Sequence, residues 1–172
     1  SAPGRGTAFF LETAFGAAVL RQYRRGGWAA RLSRDRYLFT GFGKSRPHRE
    51  FRLLAQMFDM GLPVPRPLAA MCDKQGLFYR GALLTRTIPR VKPLAALLDE
   101  SLNVSTWARI GACIRRFHDA GVRHADLNAR NILLQEVDED SVQKIAESLH
   151  YTFIYYPASI HTYHNKNFGN AV

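Results

Sequence analysis

Residues 124–134 read HADLNARNILL and place an imidazole, a carboxylate, two amides and a guanidinium directly before three apolar residues. The run Ile132-Leu133-Leu134 is typical of a buried element, so the polar loop lies at the mouth of that element. Loops held by rigid apolar elements are where binding and catalytic side chains tend to be found. Residues 124–131 are therefore the first candidate for a site, and their types suit proton transfer and ion binding.

The spacing His124-x-Asp126-x-x-x-x-Asn131 resembles the catalytic loop of protein kinases. In that loop the aspartate accepts the proton of the attacking hydroxyl and the asparagine holds a magnesium ion. The resemblance assigns these two roles to Asp126 and Asn131. An ordinary turn is the alternative, because Asp and Asn side chains also hydrogen-bond their own backbone. The rest of the chain has to decide between the two.

The length of 172 residues predicts one domain, or two small lobes around a cleft, with enough chain to bury a real core. Two cysteines, Cys72 and Cys113, do not make a disulfide framework and are expected to be buried thiols. No secretory signal and no apolar run of roughly 20 residues is found, so a reducing, cytoplasmic location is expected.

The net charge of +10 is unevenly distributed. Residues 1–135 contain 22 Lys and Arg against 9 Asp and Glu, whereas residues 136–172 contain 2 against 5. Such an excess points to a polyanionic partner: nucleic acid, an anionic membrane or a phosphorylated substrate. Arginine outnumbers lysine, which favours bidentate recognition of phosphate or carboxylate. A solvated basic face without a partner is the alternative.

The first elements surround a glycine turn. Gly4 and Gly6 precede the apolar stretch AFFL at residues 8–11, where backbone amides could approach a phosphate, although an ordinary hairpin is also consistent. Residues 17–23 form the returning strand and carry Arg21 near their end. Residues 24–39 interleave arginines with Trp28, Tyr37 and Phe39; such a segment could lie on anionic lipid, contact RNA or be an exposed loop.

Residues 46–58 are predicted to be a helix that starts near Pro47 and stops at Gly61. Its expected apolar face consists of four residues at helical spacing: Phe51, Leu54, Ala55 and Phe58. Glu50 is the only acid of this helix before Asp59. It could make surface pairs with neighbouring arginines, or pair with a cation on the preceding strand as in a kinase.

Further elements follow in the order hairpin, connector and two helices. Strands are predicted at residues 68–72 and 77–85, joined by the turn DKQG, and residues 86–93 are predicted to be a connector. A short helix at residues 94–98 precedes a longer one at 105–120, whose expected core residues are Trp107, Ile110, Ile114, Phe117 and His118. The tail is unassigned, and its histidines at 161 and 164 lack the further ligands of a metal site.

Several stretches resemble one narrower family. VLRQYRRGGW at residues 19–28, EFRLLAQ at 50–56 and RRFHDAGVRHADLNARNILL at 115–134 are similar to the kinases of 3-deoxy-D-manno-octulosonic acid (Kdo) in lipopolysaccharide core synthesis of Gram-negative bacteria. DRYLFTG at residues 35–41 and GLPVPRP at 61–67 add weaker support. The resemblance covers about residues 4–134. It implies an α+β, protein-kinase-like fold that is incomplete here: an antiparallel-sheet N-lobe at residues 1–86 with helix 46–58, then a hinge and the start of a mostly helical C-lobe at 87–134, and an unassigned tail at 135–172.

The resemblance also implies an activity: ATP- and Mg²⁺-dependent phosphorylation of a Kdo hydroxyl on Kdo-lipid A. Position by position, Asp126 would be the general base, Asn131 a magnesium ligand, Arg21 the group that holds the nucleotide phosphates, and Glu50 the group that orients Arg21. Gly4 and Gly6 would belong to the phosphate-covering turn. Arg24, Arg25 and Arg31 would face the anionic acceptor or membrane, with the protein peripheral on the cytoplasmic face of the inner membrane and no nucleic acid partner.

The chain departs from this family pattern in two places. It has no room for the strand that should enter the glycine turn. After Leu134, an apolar-apolar-Asp-Phe-Asp sequence with a second magnesium ligand is expected, but the chain reads QEVDEDSVQK. A kinase-shaped module that binds anionic lipid or nucleotide without phosphoryl transfer is therefore a second hypothesis, and an RNA-binding basic protein is a third.

Overall fold

Two antiparallel sheets and two α-helices make up the part of the chain that the computed structural model describes, namely residues 8–23, 36–99, 102–124 and 127–135 and the backbone of 152–153. The predicted α+β class is therefore observed. The chain divides into two units, residues 1–61 with 65–87, and residues 62–64 with 88–172.

The sheet of the first unit is built around a hairpin of two strands of nine residues each, β4 (Pro67–Gln75) and β5 (Phe78–Arg86). Strand β1 (Ala8–Thr13) pairs with β2 (Gly16–Gln22), and β2 pairs with β5. Strand β3 (Tyr37–Leu38) pairs with the start of β5, and β4 runs along its other edge. Because Gln75 pairs with Phe78, the β4–β5 turn consists of Gly76 and Leu77, shorter than the predicted DKQG turn.

Helix α1 (Arg46–Asp59) has nearly the predicted bounds but buries a different face. Pro47 lies in its first turn, and Gly61 adopts φ +70° just beyond its end, a left-handed conformation that favours glycine. The buried residues are Pro47, Glu50, Leu54 and Met57. Of the predicted apolar face only Leu54 is buried; the prediction was wrong for the other three, since Phe58 is 42% exposed and Phe51 and Ala55 are half-buried.

The buried face of α1 is set by where the helix meets the sheet. A Cβ atom added to Gly81 of β5 would lie 2.9 Å from Cγ and 3.1 Å from Cδ of Pro47. Glycine at this position therefore lets the first turn of α1 approach the β5 backbone closely. Since positions i and i+3 of a helix share a face, the same contact turns Glu50 toward the sheet.

The second unit contains a three-stranded sheet and helix α2. Strand β7 (Ile132–Gln135) lies between β6 (Val91–Pro93) and β8 (Thr152–Phe153), and both pairings are antiparallel. The predicted connector at residues 86–93 thus ends in a strand. The local sequence did not show this strand because its pairing partner, β7, lies about forty residues later in the sequence. A short 3₁₀ helix, Leu94–Ala96, replaces the predicted helix 94–98.

Helix α2 (Val104–Asp119) is capped at its start by Asn103, whose side chain accepts a hydrogen bond of 2.8 Å from the Thr106 amide. Its buried residues form one narrow stripe: Ile110, Cys113 and Phe117. Trp107, at 47% exposure, and the exposed His118 were wrongly predicted as core. Burial raises the pKa of the Cys113 thiol to about 11, whereas Cys72 is only half-buried.

We predict that Gly81→Ala destabilises the chain by about 2 kcal/mol, since overpacking a close contact forces the backbone or a ring to move. The ring of Pro47 cannot rotate away as a flexible side chain would. Gly43→Ala is the matched control, because a Cβ atom there would meet nothing within 4 Å. Urea unfolding of both variants measures the difference. Equal midpoints would show that the contact between β5 and Pro47 has room for the added methyl group.

Candidate active site

A buried ion pair connects the sheet of the first unit with helix α1. Arg21 of β2 pairs across the sheet with Leu83 of β5, which puts its side chain on the face that α1 covers. Its Nη2 donates to Oε1 of Glu50. The side chain of Arg21 is 19% exposed and that of Glu50 is 3% exposed. The structure thus brings together the cation and the acid that the sequence placed on neighbouring elements.

Tyr23 supplies the second donor to the same carboxylate. It lies two residues after Arg21 and therefore on the same face of the sheet. Its hydroxyl donates to Oε2 of Glu50, and the residue is 5% exposed. The Tyr23 ring also lies near two guanidinium groups, with its centroid 5.4 Å from Cζ of Arg21 and 5.1 Å from Cζ of Arg46. Each oxygen of Glu50 therefore has its own donor.

The electrostatics of this cluster follow from burial. Loss of solvation raises the pKa of Glu50, while the charge of Arg21, the hydrogen bonds from Tyr23 and Arg21 and the charge of Arg46 oppose the rise. Burial and the nearby Glu50 charge raise the pKa of Tyr23 far above its ordinary value. The phenol consequently stays protonated and remains a donor. The carboxylate can be charged in this site because cations and donors surround it.

The start of α1 is fixed by a second tyrosine. The backbone amide of Arg46 donates a 2.9 Å hydrogen bond to the hydroxyl of Tyr79, which satisfies one of the four amides at the helix start that have no partner within the helix. Tyr79 is 5% exposed and stacks on Tyr37 with ring centroids 5.4 Å apart. This anchor holds the turn that carries Glu50.

The polar loop before β7 lies in the second unit and contains a hydrogen-bonded turn. Oδ1 of Asn128 accepts from the Arg130 amide at 3.0 Å, and its carbonyl accepts from the Asn131 amide at 3.0 Å. Asn131 is 5% exposed and stands directly before the buried residues of β7. The loop is therefore a turn, as the alternative reading had it, and the turn is built by Asn128. Its geometry is compatible with a site at Asn131.

Several predicted site residues lie outside the described residues: Gly4, Gly6, Arg24, Arg25, Arg31 and Asp126. The acidic stretch after Gln135, where the second metal ligand was sought, also lies outside them. Of the predicted set, the structure describes Arg21 and Glu50, which are in contact, and Asn131, which is in the other unit.

The model of the lipopolysaccharide kinase (Kdo/WaaP) family matches residues 1–148. The chain belongs to this family. A 3-deoxy-D-manno-octulosonic acid kinase of Xanthomonas campestris pv. campestris (strain B100) is 52% identical over 130 residues, which are 76% of this chain and 52% of that protein. The kinase of the same name from Xylella fastidiosa (strain 9a5c) is 48% identical over 136 residues, 79% of this chain and 55% of that protein. The chain thus spans about half the length of these relatives.

Magnesium has one candidate ligand among the described residues of this lipopolysaccharide kinase family member, the amide oxygen of Asn131. No group of three or more His, Cys, Asp or Glu side chains in the described part of the chain could hold a metal ion. These residues do not by themselves make a magnesium site. The described helices likewise include none that is long and apolar enough to cross a membrane.

Sequence reasoning missed Tyr23 as a member of the site. The signal was available, since residues two apart on a strand share a face and Arg21 was already a candidate. Tyrosine next to a buried ion pair is a natural second donor, because its hydroxyl stays neutral while its ring packs against apolar neighbours. What the sequence did not contain was the depth of burial of Glu50, which makes a second donor necessary.

We predict that Arg21→Met lowers the free energy of unfolding by about 3 kcal/mol near pH 8, because it leaves a buried carboxylate without its cation. The variant should bring the Glu50 pKa further above its unfolded value. The neutral carboxyl is tolerated at low pH, so the deficit should be small near pH 4.5 and grow as the pH rises. Urea unfolding at both pH values measures it.

The control is Arg115→Met, which removes an exposed pair with Asp119 in which the side chains are 77% and 59% exposed. Such a pair contributes roughly 0.5 kcal/mol or less. A pH-independent deficit in Arg21→Met, like that of the control, would contradict the role of Glu50 burial.

Proposed function

We propose that the protein of which this chain is part transfers the γ-phosphate of ATP to a hydroxyl of Kdo on Kdo-lipid A. The observation that carries the proposal is the buried Arg21–Glu50 pair, a strand cation held by a helix acid. Protein kinases use a Lys–Glu pair of this kind to position the nucleotide phosphates. Membership of the family and the curated relatives named 3-deoxy-D-manno-octulosonic acid kinase support the substrate.

On the nucleotide side, Arg21 would hold the phosphates. A guanidinium keeps its charge at any physiological pH and binds phosphate oxygens as a fork, so arginine can replace the usual lysine. Glu50 restrains Arg21 through Oε1, and both side chains are largely shielded from water. Gly4 and Gly6 would cover the phosphates with backbone amides.

On the acceptor side, Asp126 would accept the proton of the Kdo hydroxyl as its oxygen attacks the γ-phosphorus and ADP leaves. The turn built by Asn128 and the buried strand β7 would give the loop a rigid base. Asn131 would lie beside the phosphates, and Mg²⁺, when bound, would neutralise the charge that develops on them. The fold proposed for the longer protein is protein-kinase-like, with a sheet-rich N-lobe and a mostly helical C-lobe.

A binding module without phosphoryl transfer is the second candidate function. The observation that favours it is the sequence QEVDEDSVQK after Leu134, where the family pattern has its second metal-binding aspartate. Phosphoryl transfer depends on charge neutralisation by metal, so a chain without that ligand would bind nucleotide and turn over poorly.

We predict that Asp126→Ala lowers the rate of ³²P transfer from ATP to Kdo-lipid A by about 10²-fold or more, the usual contribution of a general base, while leaving ATP affinity intact. Asp59→Ala is the control, because Asp59 is an exposed acid at the end of α1. Nucleotide binding without transfer in both the unmodified chain and the variants would favour the binding module.

We further propose that the protein is peripheral on the cytoplasmic face of the inner membrane, with Arg24, Arg25 and Arg31 near the lipid headgroups. The excess of 13 positive charges in residues 1–135 suits an anionic surface, and the proposed acceptor lies in one. Basic residues near such a surface gain about 1 kcal/mol each and raise the rate of encounter with an anionic acceptor.

We predict that replacing Arg24, Arg25 and Arg31 with Glu weakens binding to liposomes containing anionic lipid at least tenfold at low salt, as measured by cosedimentation. The control replaces three exposed arginines elsewhere, Arg49, Arg66 and Arg109, and so changes net charge equally. If both triple variants bind alike, net charge and not this segment determines binding; undiminished binding of the first variant would remove the proposal.

A further inference from the structure

The proposed mechanism gives no task to Tyr23, although it belongs to the buried cluster around Glu50. It contacts both members of the Arg21–Glu50 pair: its hydroxyl donates to Oε2 of Glu50, and its ring centroid lies 5.4 Å from Cζ of Arg21. At 5% exposure it is as deeply buried as Glu50. A tyrosine needed only for packing would not have to aim its hydroxyl at a carboxylate.

The two oxygens of Glu50 have separate partners, and this division fixes the orientation of the carboxylate. Oε1 accepts from Arg21 and Oε2 from Tyr23, so the carboxylate cannot turn both oxygens to the guanidinium without losing the tyrosine. A bidentate pairing would draw the guanidinium fork onto Glu50. With Tyr23 in place, Arg21 is held by one oxygen of Glu50 and lies over the ring of Tyr23.

The surroundings of Glu50 make the tyrosine hydroxyl necessary. Among the described residues, the charged and titratable groups that act on Glu50 are Arg21 of β2, Tyr23 directly after β2 and Arg46 of its own helix. By register, the same sheet face also carries Tyr79 of β5 and Cys72 and Lys74 of β4. A buried carboxylate that loses a donor either takes up a proton or recruits another partner, and both outcomes disturb Arg21.

We propose that Tyr23 is a positioning residue for phosphoryl transfer, whose hydroxyl holds the Glu50 carboxylate so that Arg21 is presented to the nucleotide phosphates. This inference rests on the proposed function, since it assigns Tyr23 a part in nucleotide binding. Tyr23 itself does not touch the nucleotide and acts through Glu50 and Arg21. Its ring adds a cation–π contact that keeps the guanidinium over the same face of the sheet.

The test compares Tyr23→Phe with Thr13→Val in the full chain. Each substitution removes a hydroxyl that makes hydrogen bonds in the first unit, but the Thr13 hydroxyl lies in the turn between β1 and β2, where it donates to the Gly16 carbonyl and accepts from the Phe15 amide. Tyr23→Phe should weaken ATP binding about tenfold, the usual effect of losing a hydrogen bond to a charged group. Thr13→Val should lower stability and leave ATP affinity unchanged.

The pH profile separates positioning from a structural role. The hydroxyl of Tyr23 favours the charged form of Glu50, so its removal should raise the Glu50 pKa and move the acid limb of ATP affinity to higher pH. In a Glu50→Gln background, Tyr23→Phe should cost no further affinity. Equal losses of ATP affinity in Tyr23→Phe and Thr13→Val, an unmoved acid limb, or additive losses with Glu50→Gln would overturn the inference.

Failure of the proposed function has a different signature. If the unmodified chain binds no ATP at any pH, the proposed role of Arg21 in nucleotide binding is wrong. ¹³C titration of the Glu50 carboxyl, assigned through Glu50→Gln, then still measures the effect of the Tyr23 hydroxyl on the Glu50 pKa. A higher Glu50 pKa in Tyr23→Phe than in the unmodified chain, with no change in Thr13→Val, shows that Tyr23 holds the carboxylate. An unchanged Glu50 pKa shows that it does not.

Discussion

A carboxylate removed from water needs cations and hydrogen-bond donors around it, and in the first unit of this chain that carboxylate is Glu50. Its side chain is 3% exposed, and its desolvation is offset by Arg21, by the Tyr23 hydroxyl and by the nearby charge of Arg46. These partners come from β2, from the residue directly after it and from the first turn of α1. Satisfying one buried acid therefore fixes the rotation of the helix and its distance from the sheet.

The close approach of α1 to the sheet depends on small details of β5. Gly81 admits the Pro47 ring, and the Tyr79 hydroxyl accepts from the first amide of the helix. The glycine leaves room for the proline ring, and the tyrosine hydroxyl satisfies a backbone amide that would otherwise be buried without a partner. Together they place Glu50 above Arg21 with an accuracy that a surface ion pair could not supply, because exposed pairs are weak and their side chains mobile.

In the second unit, a buried strand holds a polar loop in place. Strand β7 supplies three residues with at most 8% exposure, and the Ala129 carbonyl accepts a 2.9 Å hydrogen bond from Ala95 after β6. The turn chemistry of Asn128 and the sequence pattern of a catalytic loop coexist here without conflict. A functional loop needs a defined turn, since groups that act in chemistry have to be held in place.

The sequence by itself determined helix α1 to within one residue of its observed bounds, because turn glycines, prolines and hydrophobic periods are local signals. The resemblance of its motifs to the Kdo kinases indicated the family and paired Arg21 with Glu50, which the structure places in contact. Only the tertiary structure decided which face of α1 is buried, that Trp107 is exposed, and that Tyr23 belongs to the site. The physical reason is that a charged residue scores as exposed in any periodic pattern, whereas its burial depends on a cation and a donor 29 and 27 residues away in the sequence.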